Sequence, residues 1–300
     1  MTKEPMTYQG RVLELEPMSR HTSWRVGGVA DCFYQPKDLN DLSLYLKSLD
    51  AKEPIFWLGL GSNLLVSDKG IRGTVICTSG VLNNIKQLDN ERVYVEVGVA
   101  SPKLAKFSAK LGLTGAEFLS GIPGTVGGAL NMNAGAVGGE TWDIVESVET
   151  IDRDGIIHQR TVNEFNIAYR EVNAKDKKQE WFVSAVIKLS KDNADKCLQT
   201  IKNHLNRRGA TQPTQQPNAG SVFRNPEGDF AARLIEACGL KGFCIGGACV
   251  SEKHANFIIN AGSATAEDIK SLINTVHTKV LQEHNIDLIR EVQFIGDMND

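Results

Sequence analysis

Apolar side chains recur three and four residues apart along several stretches of the chain, and each such stretch predicts a helix with one buried face. Leu39, Leu42, Leu46 and Leu49 share a face, as do Leu104, Phe107 and Leu111 after the start signal Ser101-Pro102. Cys197, Leu198, Ile201 and Leu205 line a third helix within "NADKCLQTIKNHLNRR". Thr265 stands at the cap position of a fourth, whose stripe is Ile269, Leu272, Ile273, Val276 and Val280. Strand patterns lie between these helices. "RVYVEVGVA" alternates apolar and polar, "VETIDRDGIIHQRT" predicts a hairpin turning at Asp154-Gly155, and "WFVSAVIKL" has the β-branched and aromatic content of a buried strand.

The order of elements predicts an α+β protein: an α/β unit in front, a strand-rich middle with glycine loops, and a C-terminal α+β piece. Boundaries near residues 80 and 200 give three expected domains, 1–80, 81–200 and 201–300. A length of 300 residues allows two or three cores, and 41% hydrophobic with 23% charged residues is ordinary for a globular chain. A formal charge of −3 gives no electrostatic footprint for nucleic acid or an anionic membrane. "MTKEPMTYQGRVLELEP" carries acids and a proline where a secretory signal needs an apolar core, and no later run is long enough to span a bilayer, so a cytoplasmic location is expected. Cys32, Cys77, Cys197, Cys238, Cys244 and Cys249 contain no C-x-x-C pair, which fits reduced thiols better than a disulfide frame or a zinc site, with a metal or redox role for the three close together in "CGLKGFCIGGAC" as the lesser alternative.

Glycine loops carry the first chemistry. In "WLGLGSNLLVSD", Gly59, Gly61, Ser62, Asn63 and Leu64 follow an apolar run, and successive main-chain N–H groups there could face a phosphate. Leu64 stands where a Rossmann fingerprint wants glycine or alanine, so a nicotinamide site of that type is disfavoured. "SGIPGTVGGALNMNAGAVGGE" is denser in glycine, and its interleaved Ile122, Val126, Leu130 and Met132 argue against a flexible linker. Ser221 in "PNAGSVFRNP" lacks the second glycine of a hydrolase elbow. Read alone, it is a serine bonded to its own turn or a hydroxyl with another task.

"SGIPGTVGGALNMNAGA", "GLGSNLLVSD", "HTSWRVGG", "NAGSVFRNP", "LIEACGLKG" and "SEKHANFIIN" together closely resemble the UDP-N-acetylenolpyruvoylglucosamine reductase family, flavoenzymes of bacterial cell-wall synthesis. The likeness runs from about His21 to Gly296. It implies a flavoprotein of the vanillyl-alcohol-oxidase type, with two FAD-binding subdomains followed by a substrate domain. It implies FAD on Gly59, Gly61, Ser62, Asn63 and Leu64, and on Gly121, Ile122, Gly124, Gly127, Gly128, Asn131, Asn133 and Gly135. No histidine lies between His21 and His158, so the FAD is expected to be noncovalent.

The resemblance further implies NADPH as reductant and UDP-N-acetylglucosamine enolpyruvate as substrate. Hydride addition to an enol ether builds negative charge on its carboxylate, and Arg170 and Glu291 match the family's positions for holding that charge. Without the likeness both read as ordinary ion-pair residues. Ser221 matches the family's proton donor, which explains why it needs no histidine partner. The segment from Glu171 to Gly220 has no tyrosine, so the chain resembles the branch without a substrate-closing tyrosine loop, and Arg207, Arg208, Asn225 and Asn256 are candidates for the substrate diphosphate. Arg224 replaces a usual lysine. His254 reads as structural. An FAD oxidase or dehydrogenase of the same fold, and a sugar-nucleotide-binding protein without flavin, are the competing readings.

Overall fold

The computed structural model describes residues 8–298, so the opening residues on which the signal-peptide reading partly rests lie outside the described part. The chain forms two compact units, each discontinuous in sequence. One comprises the residues up to Leu13, Cys32–Leu60 and Gly73–Asn206; the other comprises Glu14–Asp31, Gly61–Arg72 and the chain from Arg207 onward. This is a different partition from three consecutive segments cut near residues 80 and 200, because the front third of the chain contributes to both cores.

The first unit is built on a five-stranded antiparallel sheet. Its order is Ile157–Thr161, Val145–Asp152, Glu180–Lys188, Arg92–Glu96 and Ile85–Gln87. The hairpin between the first two strands turns through Asp154 and Gly155, where φ of Gly155 is +69°, a value glycine takes without strain. Strand Ile55–Leu58 pairs in parallel with Ile71–Cys77. Helix α1, Leu39–Ser48, is started by the Asp38 carboxylate accepting from Asp41 N, and buries Leu42, Tyr45 and Leu46. Helix α2, Ser101–Lys110, has proline in its first turn, where the missing N–H is harmless. Helix α3, Val126–Asn131, arises inside the glycine-rich stretch, and helix α4, Ala194–Thr211, closes the unit with Cys197 and Ile201 inward.

The second unit packs two helices on a small sheet. Strands Cys244–Ile245, Ala248–Val250 and Ile258–Asn260 form an antiparallel meander, and Leu64–Val66 pairs in parallel with Gln293–Ile295. Helix α5 is Ala231–Ala237 and helix α6 is Ala266–His284. Thr265 and Asp268 form a reciprocal capping box at the start of α6, and the five predicted stripe residues are all buried. Burying each such side chain contributes about 1.5–3 kcal/mol. The Asp68 carboxylate adds two bonds of 3.0 Å from Ala266 N and Glu267 N, seating the helix on the loop from 67 to 70. Trp24 is fully buried; its indole donates to Ile258 O at 2.7 Å, and its own carbonyl accepts from Asn260 at 2.8 Å.

One expectation is corrected. Cys244 and Cys249 are joined by a disulfide, because the turn at Gly246 and Gly247 sets them opposite each other across the first two meander strands. The other four cysteines are thiols. Among the described residues no helix is long and apolar enough to cross a membrane.

Candidate active site

In the second unit, the Ser221 loop is held at both ends by main-chain and amide hydrogen bonds. Asn218 Oδ1 accepts from Gly220 N at 2.9 Å, and Gly220 adopts φ +78°, so the turn before Ser221 is made by an asparagine and a glycine. After Ser221, Val222 N donates to Asn256 O at 2.9 Å. The Asn256 side chain, 3% exposed, then brackets Phe223: its amide donates to Phe223 O at 2.8 Å and its oxygen accepts from Phe223 N at 3.0 Å. The Ser221 hydroxyl itself bonds no group among the described residues, although its loop is tied down on either side. The self-satisfied turn serine is therefore not what the structure contains.

Glu291 reaches the same loop through its main chain. Its N–H donates to Val222 O at 2.8 Å, and its carbonyl accepts from the Asn63 amide at 3.0 Å. Gln293 N donates to Asn63 O at 3.0 Å, continuing the pairing of Gln293 with Leu64. Asn63, Ser221 and Glu291 are thus brought together within one unit from three distant parts of the sequence. His254 backs the loop. Its Nδ1 accepts from Asn256 N at 3.3 Å, its ring packs edge-on to Phe257, and burial holds the imidazole below its ordinary pKa, which is a structural setting.

In the first unit, Arg170 adopts a left-handed φ of +58° and sends its fork to Asn133 O at 3.2 Å and Gly135 O at 3.0 Å. Asn133 is 1% exposed, donates to Glu140 at 2.8 Å and Ala168 O at 3.2 Å, and accepts from Trp142 N at 3.1 Å. Expected on FAD, Asn133 has a side chain that fixes the bend Arg170 grips. Asn256, expected on the substrate, likewise has both side-chain groups engaged by Phe223 and positions the Ser221 loop. Asn225 accepts from Ala231 N at 3.1 Å at the head of α5, which leaves its amide nitrogen for other partners. Arg207 is exposed on α4, and its neighbour Arg208 donates to Gln212 at 3.2 Å, its guanidinium lowered in pKa by burial.

The glycines sort into two kinds. A Cβ on Gly59 would come within 2.5 Å of Thr125 Oγ1, one on Gly61 within 1.9 Å of His21 O, and one on Gly127 within 2.9 Å of the Val97 Cβ. These positions are glycine because the fold closes on them. Gly121 faces nothing within 4 Å, and Gly128 has only Thr125 Oγ1 at 3.9 Å, so bare main chain stays open there. Gly124 and Asn131 lie between, the first buried and bonded through its carbonyl to Ser101 N, the second exposed at the end of α3. Thr125 caps α3 through Gly128 N and also abuts Gly59, so it joins the two glycine loops. Sequence reading missed Thr125 and Asn218; the Asn-x-Gly spacing was the available signal for the latter. Open main chain on one loop, pressed against the start of another, fits a long dinucleotide such as FAD.

Known proteins sharpen this. Residues 30–160 match the family described as FAD binding domain, and with it the chain is an FAD-dependent oxidoreductase, a flavoprotein of mixed α and β structure. Residues 212–295 match the family described as UDP-N-acetylenolpyruvoylglucosamine reductase, C-terminal domain. A UDP-N-acetylenolpyruvoylglucosamine reductase of Legionella pneumophila strain Corby is 54% identical over 97% of this chain and 94% of its own, and one of Methylococcus capsulatus is 53% identical over 96% and 94%. The crystal structure of the corresponding reductase from Thermus caldophilus superposes with a TM-score of 0.80 at 31% identity, covering 96% of this chain and 99% of its own. The chain belongs to the UDP-N-acetylenolpyruvoylglucosamine reductase family.

Proposed function

We propose that the chain catalyses the NADPH-dependent reduction of UDP-N-acetylglucosamine enolpyruvate to UDP-N-acetylmuramate in peptidoglycan precursor synthesis, using noncovalent FAD. Family membership supports the substrate class and the cofactor, and the open main chain at Gly121 and Gly128 supports the cofactor's seat. FAD, seated on the open main chain at Gly121 and Gly128, would supply the hydride chemistry between NADPH and the enolpyruvyl methylene carbon.

The chain's own residues then have two tasks. Charge that flows into the substrate carboxylate must be met by fixed donors, and Arg170 and Glu291 take that role. Arg170 is pre-set for it because Asn133 and Gly135 already restrict its fork. The remaining task is a proton to the carbon bearing the carboxylate, which Ser221 supplies through its hydroxyl. Arg207, Arg208 and the Asn225 amide nitrogen are assigned to the substrate diphosphate. The observation that carries this reading is the Ser221 hydroxyl: it has no hydrogen bond among the described residues, on a loop that Asn218, Asn256 and Glu291 hold in place.

Ser221→Ala is expected to be reduced by NADPH at near-normal speed but to be reoxidised by the enolpyruvyl substrate about 10²- to 10⁴-fold more slowly. Anaerobic stopped-flow absorbance of the flavin separates the two half-reactions. Equal slowing of both would overturn the assignment.

A further inference from the structure

The C-terminal ends of α5 and α6 bring together three side chains that the reaction does not use. Cys238 directly follows α5, and Glu283 and His284 are the last residues of α6. One donor atom from each, the cysteine sulfur, a carboxylate oxygen and a ring nitrogen, lies within 4.8 Å of the other two. Tetrahedral zinc, with bonds of about 2.0–2.3 Å, sets its donors roughly 3.5 Å apart, so modest side-chain rotation completes the set.

Two further observations point the same way. His284 Nε2 is buried and makes no hydrogen bond, a costly state for a ring nitrogen that a metal or other ligand relieves. The Cys238 thiol and the Glu283 carboxylate sit side by side. A divalent ion would displace the thiol proton and neutralise both groups. Lys279 holds one Glu283 oxygen at 2.7 Å, which leaves the other for a metal.

We propose that Cys238, Glu283 and His284 form a binding site for a thiophilic divalent cation of the zinc type, with water as the fourth ligand. The sulfur and imidazole exclude calcium and magnesium as preferred occupants, since those ions take oxygen donors. The bound ion staples the ends of α5 and α6 within one unit, and no step of the reduction depends on it.

The test uses the FAD-loaded enzyme freed of metal by a chelator and titrated with Zn²⁺ alone, then with Co²⁺ alone. The expected result is one equivalent of Zn²⁺ bound, and Co²⁺ d–d bands at wavelengths beyond the flavin absorption. Cys238→Ser and His284→Gln should each weaken Zn²⁺ binding by at least about 100-fold, the upper range for loss of even an outer-shell partner. Cys32→Ser should leave it unchanged, and reductase activity should be the same in all. Absence of stoichiometric binding by the wild-type enzyme, or binding that survives either ligand substitution, overturns the proposal. A measurement that needs no variant guards against misfolding: Zn²⁺ must slow alkylation of the Cys238 peptide in the wild-type enzyme, and undiminished alkylation overturns the site equally.

Discussion

The Ser221 loop and the stretch from Gly121 to Gly139 solve opposite problems. Around Ser221, buried main-chain groups are paired one by one, with Asn256 bracketing Phe223 and Glu291 bonding Val222, while the Ser221 hydroxyl bonds no group among the described residues. In the glycine stretch the side chains are removed instead, and Gly121 and Gly128 offer main chain with open space before it. The first arrangement makes one group available for a proton transfer. The second makes a surface available to a ligand too large to be held by one side chain. Substitutions should therefore separate: those near Ser221 act on the second half-reaction, and those near Gly121 act on flavin occupancy.

The largest effect expected is at Asn256. Asn256→Ala strips the N–H and C=O of Phe223, itself 1% exposed, of both their partners. Leaving such groups buried and unbonded costs about 2–4 kcal/mol in total, visible as a lower midpoint in urea unfolding. In the surviving folded enzyme, reoxidation by substrate should slow while reduction by NADPH stays near normal. A variant slowed equally in both would erase the distinction between the two regions.

Next in size is Gly121→Val. The added side chain meets no protein atom within 4 Å at its Cβ, so the apoprotein should melt where the wild-type apoprotein does. It enters the space assigned to FAD, and overpacking of about 1–3 kcal/mol corresponds to roughly 5- to 150-fold weaker binding. Fluorescence titration of apoprotein with FAD reads this. Wild-type affinity in the variant would move the cofactor seat elsewhere.

How much of this was legible in the sequence depends on the range of each interaction. The stripes of α1, α2 and α6, the cap at Thr265, and the hairpin at Gly155 are set by neighbours close in sequence, so periodicity and turn chemistry revealed them. Helix α5 has only seven residues, too short for a periodic signal. The division into two units depends on which strands pair, and the pairing of Leu64–Val66 with Gln293–Ile295 joins opposite ends of the chain. The family likeness named Ser221, Arg170 and Glu291. It could not show that Asn133 and Asn256 serve as braces, because their partners, Ala168 and Phe223, are 35 and 33 residues away. Glycine content likewise marked both loops without telling Gly59, fixed by its contact with Thr125, from Gly121, open to a ligand.

A smaller change tests the hinge between the loops. Thr125→Ala removes the cap of α3 and the atom that meets Gly59. A lost cap costs about 1 kcal/mol. Flavin binding should weaken modestly and thermal unfolding should shift slightly, with reoxidation by substrate unaffected once the enzyme is saturated with FAD. Slowed reoxidation at saturating FAD would mean that the two regions are coupled more tightly than their separate bonding implies.

The smallest effect is at His254, and its sign is fixed by burial. Desolvation holds the folded imidazole below its ordinary pKa, with the Lys241 ammonium lowering it further and the Glu236 carboxylate opposing. The unfolded chain takes up its proton near pH 6.5, whereas the folded chain does so only at lower pH. Stability from this residue is therefore complete above about pH 6.5 and declines as pH falls from there toward the folded value, since protons favour the unfolded state. His254→Gln keeps a polar acceptor in reach of Asn256 N and removes the titration. Its unfolding free energy, followed from pH 7.5 to pH 5, should fall less steeply than that of the wild type by up to one proton in the slope. Parallel slopes would show that the imidazole behind the Ser221 loop titrates as if in water, and that the loop is less closed to solvent than its bonding indicates.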